Sequence, residues 1–222
     1  MDSLIKARGD FRVLEGVSLS LDRGEALLVL GRSGIGKTSL LRIAALVDRD
    51  YSGRVEVFGA NPGATKESTL DELRLKRIGY VPQDAGLVDS LTIRQNIALP
   101  LGLASLPKED CLQRIRELSE RLELSTLLDK FPDEVSGGEA QRAAVARALV
   151  KEPRLIIADE PTSNQDPLRE RLVMQVFGER LAGGAALLIS ATQMPPGFEL
   201  GRVLYLDNGR LTQDASGSIQ SN

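Results

Sequence analysis

Eight residues, Gly31-Arg32-Ser33-Gly34-Ile35-Gly36-Lys37-Thr38, place four free positions between a glycine and Gly-Lys-Thr, the spacing of a phosphate-binding loop. In such a loop the glycines let successive backbone N–H groups turn inward around the phosphates. The helix that follows adds its positive end to the same anion. Lys37 would reach the β- and γ-phosphates, and the Thr38 hydroxyl would sit on Mg2+. The same glycines in isolation would be an ordinary turn. Here, however, the apolar run Ala26-Leu27-Leu28-Val29-Leu30 comes directly before, and Ser39-Leu40-Leu41-Arg42-Ile43-Ala44-Ala45-Leu46 reads as a helix directly after. Strand, loop and helix are the setting that phosphate binding needs. A nucleotide site built on Gly31, Arg32, Ser33, Gly34, Ile35, Gly36, Lys37, Thr38 and Ser39 is expected.

Two further segments carry chemistry. The run Leu155-Ile156-Ile157-Ala158 ends in Asp159-Glu160, the form of a Walker B segment. Ligand sites of parallel α/β sheets lie at the carboxyl ends of the strands. Asp159 can hold Mg2+ there, through water, while Glu160 can polarise the water that attacks a γ-phosphate. Alone, two adjacent acids before Pro161 are equally a solvated turn. Val135-Ser136-Gly137-Gly138-Glu139 then opens an Ala-rich helix running through residues 143–149. Ser136 and Glu139 form an S-x-x-E capping box, which gives that helix a defined start and an exposed set of N–H groups. The pattern fits a second anion site and, equally, a capped helix and nothing more.

The elements that must position these residues follow from patterning. Residues 13–21 and 54–58 alternate, with Val17, Leu19 and Leu21, then Val55 and Val57, on one face, which predicts antiparallel sheet. Leu155-Ile156-Ile157-Ala158 and Ala185-Ala186-Leu187-Leu188-Ile189 are continuous apolar runs, the mark of parallel strands covered on both faces. Residues 86–133 turn mainly helical, punctuated by Pro100, Pro107 and Pro132, and read as an inserted helical subdomain. Residues 213–222, rich in Ser, Gln, Gly and Asn, read as a flexible tail. The fold class expected is α/β, one domain over residues 1–222.

With 222 residues, a net charge of −3 and no histidine, the chain argues against a broadly basic nucleic-acid surface and lacks the commonest general base. Catalysis must rest on carboxylates, lysine and metal. No apolar run approaches the roughly eighteen residues of a membrane span, and residues 1–10 lack a signal peptide's apolar core, so a cytosolic protein is expected. The single cysteine, Cys111, excludes an intramolecular disulfide and reads as packing beside Leu112, Ile115, Leu118 and Leu122.

Together these segments resemble the nucleotide-binding subunit of ATP-binding cassette (ABC) transporters, from about Val13 to Leu211 and in the family's motif order. The resemblance implies a P-loop NTPase fold with a mainly parallel central sheet, an antiparallel β-subdomain and the helical insertion. Ser136-Gly137-Gly138-Glu139 resembles the signature segment, Tyr80-Val81-Pro82-Gln83 the segment with the Q-loop glutamine, and Ser163-Asn164-Gln165-Asp166 the D-loop. Residues 91–101 are similar to the lipoprotein-releasing, macrolide-export and cell-division group. The family implies ATP and Mg2+ as ligands, Glu160, Lys37, Gln83 and Gln193 as catalytic residues, and Thr38, Gln83 and Asp159 around the metal. It also implies a head-to-tail dimer, with each ATP between the P-loop of one copy and the signature of the other, and a membrane permease facing the loop after Gln83. No nucleic-acid partner is expected.

Three positions depart from the family pattern. Gln193, in Ser190-Ala191-Thr192-Gln193-Met194, stands where the family carries a histidine; an amide can donate to phosphate but cannot become a cation. Slower hydrolysis and a tolerated variant are both open. Gln165 replaces an apolar residue in the D-loop, although Asp166 is kept. For stacking on adenine, Phe11 is the nearest aromatic, with Arg8 an alternative through its planar guanidinium; Phe11 reads equally as a core residue. Two other functions stand beside transport: a regulatory ABC subunit that drives a membrane protein without moving substrate, and a P-loop kinase, against which the signature segment speaks.

Overall fold

The structure, a computed structural model, describes residues 1–9, 11–103, 108–163, 165–198 and 201–213. In chain order the first elements are β1 (Asp2–Arg8), β2 (Phe11–Val17), β3 (Ala26–Leu30), α1 (Lys37–Ala44), β4 (Ser52–Arg54), α2 (Glu67–Lys76) and β5 (Ile78–Val81). They are followed by α3 (Ile93–Leu103), α4 (Lys108–Arg121), α5 (Gly137–Leu149), β6 (Leu155–Asp159), α6 (Pro167–Ala182), β7 (Ala186–Ala191), β8 (Arg202–Asp207) and β9 (Arg210–Thr212).

The strands form two sheets, as the two kinds of patterning require. One has the order β2-β1-β4 and is antiparallel throughout. The other runs β5-β6-β7-β3-β8-β9, parallel except for the antiparallel β8–β9 pair at its edge. Successive side chains of a strand face opposite ways. Thus Ala26, Leu28 and Leu30 of β3 enter a core shared with α3, α4, α5 and α6, while Leu27 and Val29 enter a second core with α1 and the antiparallel sheet. All five are buried. Two cores on one strand explain the continuous apolar run better than any propensity.

The helices α3, α4 and α5 all fall between β5 and β6, neighbouring parallel strands; α3 and α4 lie within the segment 86–133 that reads as helical, and α5 follows it. Pro100 does not end a helix as its punctuation suggested; it lies inside α3, which continues to Leu103. A proline there forfeits one helical hydrogen bond, while Ile93, Ile97 and Leu101 of the same helix are buried. Cys111 packs, half-buried, against the same core. Pro107 and residues 214–222 of the expected tail lie outside the described residues.

The alternation over residues 13–21 and 54–58 overstates the strands. β2 stops at Val17 and β4 at Arg54, although Leu19, Leu21, Val55 and Val57 still pack on the second core. Phe58 and Gly59, both at positive φ, turn the chain back so that Val57 pairs only with Ala60. That tight turn ends the extended backbone. No described helix is long and apolar enough to cross a membrane.

Just ahead of β6, Lys151 donates from Nζ to the carbonyl of Arg74, 2.6 Å away in the last turn of α2. Burial pushes its pKa from 10.5 down to about 8. The unfolded chain therefore binds more protons than the fold between those values, and stability through this group rises with pH across that interval. Urea midpoints taken from about pH 8 to pH 10.5 should climb more steeply in the wild type than in Lys151→Met. Parallel slopes would mean that the ammonium is fully hydrated in the fold.

Candidate functional site

Register brings the candidate residues into one row. Leu30 of β3 lies opposite Ala191 of β7, Asp159 of β6 opposite Ser190, and Val81 of β5 opposite Ala158. The chain leaves these strands at Gly31, Thr192, Glu160 and Pro82, so the P-loop, Gln193, the Asp159-Glu160 pair and Gln83 all stand at the carboxyl edge of the parallel sheet. A concavity of about 690 Å³ lined by Leu21, Phe58, Pro153 and Arg154 belongs to the other end, where β6 and β7 begin.

The P-loop depends on its glycines at two points. Gly36 sits at φ +112, and a Cβ there would lie 2.6 Å from the carbonyl oxygen of Val13 in β2. A Cβ on Gly31 would strike Ile35 and the carbonyl of Leu206. Backbone passes closely on both sides, so only glycine fits. No side chain caps α1, which leaves the N–H groups of its first turn directed at the space the loop encloses. Arg32, Ser33 and Gly34 form the exposed crest, while Lys37 and Ser39 are buried.

Lys37 turns back under the loop. Its Nζ donates to the carbonyls of Gly31 at 2.7 Å and Arg32 at 2.9 Å, and pairs with Glu160 Oε1 at 3.0 Å. Lys37 is 4% exposed and Glu160 13%, so this ion pair is shielded from water and from salt screening. Two residues chosen from separate motifs are thus in direct contact. Glu160 itself has φ +46, a left-handed conformation that costs a non-glycine residue on the order of 1 kcal/mol. Its N–H, bifurcated, donates to both the carbonyl and the hydroxyl of Ser190, each at 3.1 Å, which hold it there.

Asp159 is fully buried. Its Oδ1 accepts from the Ser190 hydroxyl at 2.5 Å, whereas Oδ2 has no hydrogen-bond partner among the described residues. A buried carboxylate oxygen left bare is costly, and its location beside the phosphate loop fits a cation. No cluster of three or more Cys, Asp or Glu among the described residues would hold a metal alone. That donor set suits Mg2+, which takes one or two carboxylates and completes its shell with substrate phosphates and water. Burial and the nearby Asp159 charge push the Tyr80 hydroxyl up to about 12, so it stays a neutral neighbour.

At the head of α5, Ser136 and Glu139 make the capping box in full. Ser136 N–H donates to Glu139 Oε2 at 2.7 Å, Ser136 Oγ donates to the same oxygen at 2.8 Å, and Glu139 N–H returns to Ser136 Oγ at 3.3 Å. The bonds from Ser136, its N–H first, hold the Glu139 carboxyl below its ordinary pKa. Ser136 and Gly137 are exposed, and no hydrogen bond or ion pair of the described residues joins residues 136–139 to the P-loop. Asp166 caps α6, accepting from Leu168 N–H at 3.0 Å and Arg169 N–H at 3.2 Å. Gln165 donates from Nε2 to the carbonyl of Pro161 and bridges the turn after Glu160; Asn164 lies outside the described residues.

Gln83 and Gln193 are exposed. Phe11 is 79% exposed, which rules out the core role its aromatic ring suggested. It faces Arg8 across β1–β2, two residues before the Val13 carbonyl that abuts Gly36. Sequence reasoning missed Ser190, which holds Asp159 and Glu160 together; its signal was a polar residue ending an apolar run. It also missed Gln141, which binds the Pro82 carbonyl just before Gln83, and Arg147, which binds the loop after it.

The doubly covered parallel sheet, with the P-loop and the Walker B acids at its carboxyl edge, defines a P-loop ATPase. The ABC transporter family model matches residues 14–163, and the chain belongs to that family. It is 37% identical over 207 residues to the ABC transporter ATP-binding protein YxdL of Bacillus subtilis (strain 168), covering 93% of this chain and 80% of that protein. It is 34% identical over 210 residues to the lipoprotein-releasing system ATP-binding protein LolD of Aquifex aeolicus (strain VF5), covering 95% and 94%. The dimeric structure of MJ0796, a bacterial ABC transporter cassette, matches with a TM-score of 0.88 at 27% identity over 95% of this chain and 94% of that one. A dimeric post-hydrolysis state of MJ0796 bound to ADP and Pi matches at 0.84, with 28% identity over 93% and 92%. The chain is an ATP-binding, ATP-hydrolysing cassette, and the kinase alternative falls away.

The capping box gives a stability test. Ser136→Ala should cost about 1 kcal/mol in urea denaturation, whereas Ser136→Thr, which keeps both the acceptor and the hydroxyl proton at the N-cap, should cost little. Because Glu139 has its pKa lowered from 4.5 in the fold, the contribution is present above that value and fades as the pH falls through the folded one. Equal stability of the alanine and serine forms at neutral pH would show that the box does not anchor α5.

Proposed function

We propose that two copies of this chain pair head to tail around two ATP molecules and drive a membrane permease from its cytoplasmic face. One observation carries the reading: the second anion-binding helix start, at Ser136, is exposed and unconnected to the P-loop of its own chain. A γ-phosphate held by Lys37 in one copy and by Ser136 and the N–H groups near Gly138 in the other would join the two. The dimeric cassette structures described above support the arrangement. Residues 1–222 act in it as one domain, with residues 86–133 as the helical arm.

Within each site the residues divide the work. Gly31 to Ser39 wrap the phosphates, and Phe11, beside Arg8, offers a face to the adenine. Lys37 gives up Glu160 for the β- and γ-phosphate oxygens, which frees the carboxylate. Glu160 then takes the proton of the water that attacks the γ-phosphorus, and the bond from that phosphorus to the β–γ bridging oxygen breaks, leaving ADP and phosphate. Thr38, Asp159 and Gln83 would hold Mg2+, which neutralises charge on the phosphate oxygens. Gln83 also orients the water. Gln193 donates to the γ-phosphate without adding charge, which slows turnover. Asp166, fixed by the α6 N-terminus, faces the second copy.

Loss of the γ-phosphate removes the trans contact, and the dimer loosens. The loop after Gln83 carries that motion to the permease. The resemblance to LolD and to bacitracin-export BceA of Halalkalibacterium halodurans, 32% identical over 203 residues, supports a transport role. Gln193 alone favours the same cycle working as a signal without transport. Reconstitution in vesicles separates the two by whether a solute or lipid moves.

Glu160→Gln should lower ATP turnover by on the order of a hundredfold or more and retain ATP in a stable dimer on gel filtration. Undiminished turnover would remove Glu160 as the base. Gln193→His should hydrolyse faster than the wild type and Gln193→Ala slower. If all three agree, the residue at this position has no part in the reaction.

A further inference from the structure

The backbone on both sides of Gln83 is bound from two helices. Gln141 of α5 donates from Nε2 to the carbonyl of Pro82 at 2.9 Å. Arg147, also of α5, donates from one guanidinium nitrogen to the carbonyl of Gly86 and from the other to that of Ala85, both at 2.7 Å. Asn96 of α3, fully buried, accepts from Val88 N–H at 2.8 Å and donates to the carbonyls of Val88, Leu91 and Thr92.

The backbone between these anchors is strained in a way that explains the arginine. Ala85 has φ +59 and Gly86 φ +54, two successive left-handed residues, the first of them with a Cβ and buried. A non-glycine residue pays on the order of 1 kcal/mol for that conformation. The turn presents its two carbonyls to one planar guanidinium, and the rigid fork of an arginine fits such a pair where a lysine ammonium does not. Burial disfavours the charged Arg147, lowering its pKa, while Asp84 in the same loop opposes this. A half-buried guanidinium fixes this turn.

We propose that Arg147 is a positioning residue for Gln83. Through its fork on Ala85 and Gly86, with Gln141 on Pro82, it ties the loop that carries Gln83 to α5, the helix whose N-terminus is Ser136. Gln83, which serves its own site, and Ser136, which serves the partner copy's site, then move as one body. Entry of Ser136 onto a phosphate sets Gln83 at the end of β5, and displacement of the loop by a membrane partner withdraws both. The inference rests on the role proposed above for Gln83.

A comparison of Gln83→Ala, Arg147→Met, Arg147→Lys and the double variant Gln83→Ala/Arg147→Met in steady-state Mg·ATP hydrolysis tests it. Arg147→Met keeps the aliphatic stem and removes the fork. It should lower kcat on the order of tenfold, within the range that small misplacements cost, with the KM for ATP unchanged. Arg147→Lys should recover only part of the rate. In the Gln83→Ala background Arg147→Met should cause no further loss, because both changes remove the same group from the site. Wild-type kcat in Arg147→Met, or a loss that multiplies with that of Gln83→Ala, would overturn the proposal. Wild-type turnover in Gln83→Ala would instead overturn the role of Gln83. Should Arg147→Met fail to fold, Gln141→Leu, which frees the Pro82 carbonyl, is read by the same criteria.

Discussion

The register of four neighbouring parallel strands, β5, β6, β7 and β3, is the constraint on which the site depends. It puts Val81 beside Ala158, Asp159 beside Ser190 and Leu30 beside Ala191, so four loops distant in sequence leave the sheet side by side. That register is fixed because these strands are buried on both faces. A shift of β3 by one residue would exchange Leu28 and Leu30 with Leu27 and Val29 between two differently shaped cores. The precision of the site is therefore a property of packing far from it.

On this frame the electrostatics are arranged around an anion. Lys37 is occupied by two carbonyls and Glu160, so its charge is balanced before any phosphate arrives. Asp159 keeps one oxygen without a hydrogen-bond partner among the described residues. Between them Ser190, a small hydroxyl at the end of a buried strand, holds Asp159 by its proton and the Glu160 backbone by its oxygen. One residue thus fixes the spacing of two adjacent acids.

The helix α5 links this edge to the rest of the molecule. Its first residues are capped internally by Ser136 and Glu139, so the helix start is rigid without leaning on the P-loop. Its later residues grip the turn after Gln83. The Ala-rich face between them, with Ala143, Ala144, Ala146 and Ala148 buried, allows close approach to β5, where Gly79 would place a Cβ 2.6 Å from the Ala148 carbonyl. Small residues at this contact make α5 and the end of β5 a stiff unit, suited to transmitting displacement.

By itself the sequence determined the local chemistry: the P-loop glycines, the capping box, the double apolar coverage of β6 and β7, and the acids at the end of β6. These are legible because each depends on residues close together in the chain, whose spacing alone sets backbone conformation and face. It overstated the antiparallel strands, since alternation continues past Val17 and Arg54 while the turn at Phe58 and Gly59 ends the pairing. It took Phe11 as a candidate for burial, although the ring is exposed. Only the tertiary structure decided that Lys37 meets Glu160, that Ser190 joins Asp159 to it, and that Arg147 holds the loop of Gln83. Those contacts span from 30 to 123 residues of chain, and their partners are backbone carbonyls or single side chains that carry no local pattern; strand register and helix packing alone bring them together.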